Sequence, residues 1–196
     1  MITSKNIHIN LWINKDYHHM KSHITLTYEP LNLDYYVSQA SDPSCGAISV
    51  FIGTTRDNFD GKRVVRLEYE AYAPMAERKI NKIIEEASKL WPLHSAIVAH
   101  RLGHVPTTEA SIIIVCSSSH RTESLMAVSY IIDHLKAEVP IWKKEIYEDS
   151  GAWKANKEWR HPMDIQNRTL AQNIENLESE YKDREKVDDI GPSLNR

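Results

Sequence analysis

The chain has 196 residues, with 24 Lys+Arg against 27 Asp+Glu and a formal net charge of −3. That length supports one domain with a real core plus a tail, and the charge balance excludes a general nucleic-acid binder, which carries a strong basic excess. A hydrophobic share of 41% fits a globular protein, and no apolar run is long enough to span a bilayer.

Residues 1 to 42 read as a polar, irregular leader, with TLTYEP at 25–30 as a candidate short strand. The leader lacks a signal peptide's apolar stretch, and the first arginine is Arg56, so neither a secretory nor a mitochondrial address is expected. Cys45 and Cys116 sit in strand-like apolar runs and read as reduced, cytosolic thiols. His18, His19 and His23 fall in the leader and are assigned no role.

GAISVFIG at 46–53 predicts a buried strand. VVRLEYEAY at 64–72 alternates, with Val65, Leu67, Tyr69 and Ala71 on one face and Arg66, Glu68 and Glu70 on the other, as in a half-buried strand. Between them TTRDNFDGKR holds Arg56 and the turn signal Asp60-Gly61; it is long for a hairpin, and long ordered loops are often functional. PMAERKINKIIEEASKLWP at 74–92 predicts a helix opened by Pro74 and stopped by Pro92, its apolar stripe being Ala76, Ile80, Ile83, Ile84, Ala87 and Leu90. SAIVAHRLG and ASIIIVCSSS predict two more buried strands, and TESLMAVSYIIDHLKAE at 122–138 a second helix with Leu125, Val128, Ile132 and Leu135 inward. Pro140 stops that helix, and IWKKEIYE follows as a strand. From Arg160 the chain is charged and poor in large apolar residues: a disordered tail or an exposed helix striped by Leu170, Ile174, Leu177 and Tyr181. The order β, β, α, β, β, α, β predicts an α+β fold, a mixed α/β sandwich rather than a doubly wound parallel sheet.

Cations flank the second predicted helix. His120 and Arg121 stand at its start, where unpaired N–H groups and the helix dipole favour an anion; an ordinary exposed turn accounts for them equally well. Lys136 stands near its end, where a cation is favoured by the dipole alone. On the strand beyond, alternation puts Lys143 and Glu145 on one face with Ile141 if Trp142 packs inward. Cations converging on one pocket would lower a lysine's pKa by mutual repulsion and fit it for proton transfer. His100 and His104 are four apart, but Gly103 and Pro106 break any helix between them, so no metal pair is expected. Cys116 reads as buried and unreactive. The chain has no Walker loop, GxGxxG or CxxC pair.

In this order, GAISVFIGTTRD, LEYEAY, PMAE, HRLGHVP, EASIIIVCSSSHR, IDHLKAEVPIWKKEIYED and NKEW resemble the large, catalytic subunit of molybdopterin synthase, in its animal form, over residues 43–159. The resemblance implies a hammerhead-like α+β fold. It also implies sulfur transfer from the thiocarboxylated C-terminus of a small ubiquitin-like subunit to cyclic pyranopterin monophosphate, making the molybdopterin dithiolene. The implied assembly is a heterotetramer around a homodimer of large subunits, in the cytosol, with no cofactor and no metal. By the same resemblance, Lys136 and Lys143 are catalytic, and Arg56, His120, Arg121, Lys136, Lys143, Lys144, Glu145 and Lys157 bind substrate. Lys136 would meet the partner's terminal glycine, and Lys157 would reach the neighbouring subunit's site. The alternative is a non-catalytic adaptor that keeps the fold and docks through its tail.

Overall fold

The computed structural model describes residues 7–12, 20–148 and 151–153, all within the first of the chain's two units, Met1–Trp159. The elements run β1 (Ile7–Trp12), β2 (Lys21–Thr27), α1 (Leu33–Ala40), β3 (Ala47–Thr54), β4 (Asn58–Phe59), β5 (Lys62–Ala71) and α2 (Ala73–Leu90). They continue with β6 (Leu93–Arg101), β7 (Gly103–Pro106), β8 (Ala110–Ser118), α3 (Arg121–Glu138), β9 (Ile141–Tyr147) and β10 (Gly151–Trp153). The architecture is α+β, as expected.

One sheet has the order β1-β2-β6-β8-β3, with β2 and β6 parallel and the other neighbours antiparallel. Its centre is covered on both sides. Ala96, Val98, Ile112, Ile114 and Cys116 face α2 and α3, while Ile97, Ala99, Ile113 and Val115 face Tyr36 and Ala40 of α1. Burial on both faces is why β6 and β8 read as unbroken apolar runs. The second sheet has the order β10-β9-β5-β4, with β7 also paired to β5. Gly103, at φ +70°, lets the chain leave β6 and enter the second sheet within two residues. Asp60 and Gly61 both have positive φ, 50° and 75°, and close the β4–β5 hairpin.

Ala76, Ile80, Ile83, Ile84 and Ala87 of α2 are buried as expected, but Leu90 is exposed at the helix end. In α3 the buried face is Ser124, Ala127, Val128, Ile131, Ile132 and Leu135; Leu125 is 58% exposed. It stands roughly a quarter turn from the centre of that face. In β5 the register shifts between Val64 and Arg66, so Val64 turns inward and Val65 outward, the reverse of simple alternation. Trp142 is exposed rather than packed inward.

The segment read as irregular contains β2 and α1. The strand expected at 25–30 is the end of β2, which starts earlier, at Lys21; Ser22, Thr25 and Thr27 are polar yet buried, which obscures its extent in a hydropathy pattern. Thr25 Oγ1 pairs with His23 Nε2 at 2.9 Å, and Thr27 Oγ1 accepts from the Glu29 N–H at 3.1 Å. Asn32 caps α1 by accepting from the Tyr35 N–H. His18, His19, Lys157 and the Leu170–Tyr181 stripe lie outside the described residues.

Cys45 lies just before β3 rather than in a strand and is partly exposed, whereas Cys116 is fully buried and its thiol is pushed up to about 12 by burial. The folded protein should therefore react with an alkylating reagent at Cys45 and not at Cys116 until denaturant is added. Peptide mapping by mass spectrometry checks this; rapid native labelling of Cys116 would contradict the packing of β8.

Candidate active site

A cavity of about 480 Å³ opens between the end of β3, β5, the C-terminal turn of α3 and β9. Arg56, Lys136, Lys143 and Glu145 line it, together with Tyr69, His100 and Ser111. Each is placed by a local feature of the chain.

Lys136 is in the last turn of α3, where the helix dipole favours a cation. Val139 caps the helix, Pro140 prevents its continuation, and the Ile141 N–H donates to the Val139 carbonyl at 2.8 Å. This short reversal starts β9 beside the helix end and brings Lys143 to the cavity that Lys136 lines. Lys143 and Glu145 share one face of β9, with Nζ 3.5 Å from Oε1. Glu145 is 3% exposed and accepts a hydrogen bond from the Tyr147 hydroxyl. A buried carboxylate with these two partners keeps its charge compensated.

Arg56 is on the exposed rim, in a loop tied down on both sides. The Thr55 N–H donates to the Glu109 carbonyl at 3.1 Å, the Thr108 N–H to the Thr55 carbonyl at 2.8 Å, and the Val64 N–H to the Asp57 carbonyl at 2.7 Å. The loop is long because it must leave one sheet and enter the other.

The remaining residues fall elsewhere. Lys144 is on the opposite face of β9 from Lys143 and does not line the cavity. His120 is the N-cap of α3 and Arg121 its first residue, and both are exposed. From Arg121 to Lys136 the helix rises about 22 Å, so one chain does not gather its two cationic ends around one small ligand. Away from the cavity, the ligand atoms of Asp42, Cys45 and His94 lie within 4.8 Å of one another. Ser44 already hydrogen-bonds Asp42 and His94, and Ser119 pairs with the other His94 nitrogen.

Sequence reasoning gave His100, Tyr69 and Ser111 no place in the site. His100 is buried, and its Nδ1 lies 2.8 Å from the Arg101 carbonyl. Its ring meets that of Tyr69 edge to face, with centroids 4.9 Å apart. A histidine inside the apolar run SAIVAHR was the available signal, since a buried imidazole needs a partner. Burial lowers its pKa from 6.5 to about 4, against the Arg101 bond, which raises it. Burial likewise raises the Tyr69 pKa, with Ser111 opposing and the Glu145 charge adding to the rise.

The fold and this cavity define an α+β protein in which three cationic side chains, Arg56, Lys136 and Lys143, line one pocket. The family model described as MoaE protein matches residues 26–138, and the chain belongs to that family. It is 58% identical to the molybdopterin synthase catalytic subunit of Homo sapiens over 138 residues, 70% of this chain and 73% of that one. A solved molybdopterin synthase from Staphylococcus aureus aligns with a TM-score of 0.64 and 37% identity, over 66% of this chain and 95% of that one. The MoaE protein of Burkholderia ambifaria aligns with a TM-score of 0.62 and 27% identity, over 74% of this chain and 97% of that one.

His100 also makes stability depend on pH. Below about pH 6.5 the unfolded chain binds a proton that the folded chain refuses until about pH 4. The stability this group contributes is therefore full above 6.5 and is lost as pH falls through that window. Denaturant titrations should show a loss of about 3 kcal/mol from this source between pH 7 and pH 4, and His100→Gln should flatten the profile. Parallel profiles for the two proteins would contradict it.

Proposed function

We infer that this chain is the catalytic subunit of a molybdopterin synthase, a sulfurtransferase of molybdenum-cofactor biosynthesis. It moves sulfur from the thiocarboxylated C-terminus of a small ubiquitin-like subunit to cyclic pyranopterin monophosphate. The observation that carries the site reading is the convergence of Lys136 and Lys143, from a helix end and a strand, on one cavity with Arg56 and Glu145. Both substrates are anions. Lys136 and Lys143 hold the thiocarboxylate and stabilise negative charge as the C–S bond is exchanged. Arg56 takes phosphate at the rim, where a guanidinium can bind two oxygens at once. Glu145 keeps Lys143 in place and limits the repulsion between the two lysines.

His120 and Arg121 complete the site from a second copy. Among the described residues β3 is an edge strand of its sheet, and it exposes Ile48 (38%), Val50 (38%) and Ile52 (41%). A long apolar edge is one that proteins cover. Antiparallel pairing of β3 with β3 of another copy would cover it. Gly46, at the N-terminal end of β3, packs against Ser119 beside His120. The same pairing would thus bring one chain's His-Arg pair toward the other chain's Thr54 and Arg56.

No helix among the described residues is long and apolar enough to cross a membrane. Two free thiols, Cys45 and Cys116, support a reducing compartment, the cytosol.

Lys136→Ala should fold, dimerise and lose about 10²–10³ in turnover with a thiocarboxylated partner. Lys136→Arg should restore only part, because a broad planar guanidinium does not reproduce the compact point charge of an ammonium in the same space. Near-normal turnover in the alanine variant would sink the assignment. Mixing inactive Lys136→Ala with inactive Arg121→Ala should recover some activity, since one cavity of the mixed dimer is then intact. No recovery in heterodimers shown to have formed would mean that each cavity is built within one chain.

A further inference from the structure

We propose that His100 is a substrate-contact residue, a neutral hydrogen-bond acceptor in the cavity wall that takes a ring N–H of the pterin. This rests on the reading of the cavity as the pterin site.

The tautomer follows from its partner. The Arg101 carbonyl can only accept, so Nδ1 carries the proton that spans the 2.8 Å contact. Nε2 is then an unprotonated nitrogen with a lone pair. Among the described residues Nε2 has no hydrogen-bond partner, yet it is not a sealed, unsatisfied atom. Only 4% of His100 is exposed, and His100 lines the cavity. The ring plane is held by the Arg101 bond at one edge and by Tyr69 at an interplanar angle of 74°. A buried acceptor left without a protein partner and set in a cavity wall is built for a ligand.

The rest of the cavity says which ligand group. Arg56, Lys136 and Lys143 only donate, and Thr54 and Asn58, which can accept, are exposed to water. The Glu145 carboxylate is engaged by Lys143 and Tyr147, and the Ser111 hydroxyl donates to the Gly53 carbonyl at 3.1 Å. Donors suit the phosphate and the thiocarboxylate, but the N–H groups of a pterin need an acceptor. Nε2 supplies one that stays unprotonated at neutral pH, because the ring resists protonation until about pH 4. A site that spends a buried acceptor on a ring N–H discriminates strongly against analogues that lack it.

Two substitutions separate contact from structure. The side-chain amide nitrogen of Asn takes the place of Nδ1, so His100→Asn keeps the bond to Arg101 and removes the cavity acceptor. The Gln amide oxygen reaches the place of Nε2, so His100→Gln keeps the acceptor. Steady-state kinetics with the full chain and its thiocarboxylated partner should show KM for the pterin raised about 10-fold in the Asn variant. Its kcat should stay within about 3-fold, and Gln should restore most of the affinity. The opposite ranking, with Asn like the wild type and Gln impaired, would assign His100 a structural role and overturn the proposal. So would parallel losses of kcat and thermal midpoint in both variants.

Histidine ¹⁵N NMR of the wild-type protein gives an independent reading. Nε2 should be unprotonated at neutral pH and shift when the pterin is added. A protonated Nε2, or one indifferent to the pterin, overturns the assignment. Wild-type turnover with an unchanged KM in both variants removes His100 alone, whereas absence of wild-type turnover removes the function on which it rests.

Discussion

Burial of β6 and β8 on both faces is the constraint from which the rest follows. Two adjacent strands with apolar side chains above and below must be covered by helices on each side, α2 and α3 on one and α1 on the other. Covering them fixes the path of α3 across the sheet. That path sets where the helix ends and therefore where Lys136 stands. The same pair carries His100 at the end of β6, opposite Ile112 of β8, at the margin of the first sheet. The cavity lies where the first sheet, the end of α3 and the second sheet meet.

The cavity concentrates like charge, which is costly without compensation. Lys143 is held near Glu145, and Glu145 is in turn held by Tyr147, so one lysine is screened and positioned by a buried carboxylate. Lys136 has the C-terminal end of its helix behind it. Arg56 remains on the rim, where water screens it. This graded arrangement lets three cations face one space before an anion arrives. Were a substrate to exclude water from the cavity, the same charges would act in a lower dielectric and count for more.

The edge strand β3 joins the two ends of α3 in a way the single chain does not. Its C-terminal end leads into the Arg56 loop, and its N-terminal end lies beside the His-Arg turn. Ser49 and Ser124, hydrogen-bonded at 2.8 Å, fasten the middle of the strand to the start of the helix. An edge fixed at this position relative to both cationic sites is the feature on which the proposed pairing with a second copy rests.

The sequence alone determined much. The periodicity of 74–92 and 122–138, the apolar runs at 95–103 and 110–119, and the stop at Pro140 are local signals, each written within a few residues. The Lys136–Lys143 pairing was legible for the same reason, because a short reversal separates the two. Tertiary structure decided what depends on partners distant in sequence. Only the end of β2, within the candidate strand at 25–30, was legible, because its buried Ser and Thr residues are satisfied by neighbours rather than by apolar character. Leu125 fell outside the core because Ser124, paired with Ser49, occupies the inward position. Val65 turned outward because a bulge shifts the register against β9. His100 entered the site, and His120 and Arg121 left the single-chain cavity, because the sheets and the length of α3 set those distances. A side chain's chemistry is local, but its burial and its neighbours belong to the whole packed chain.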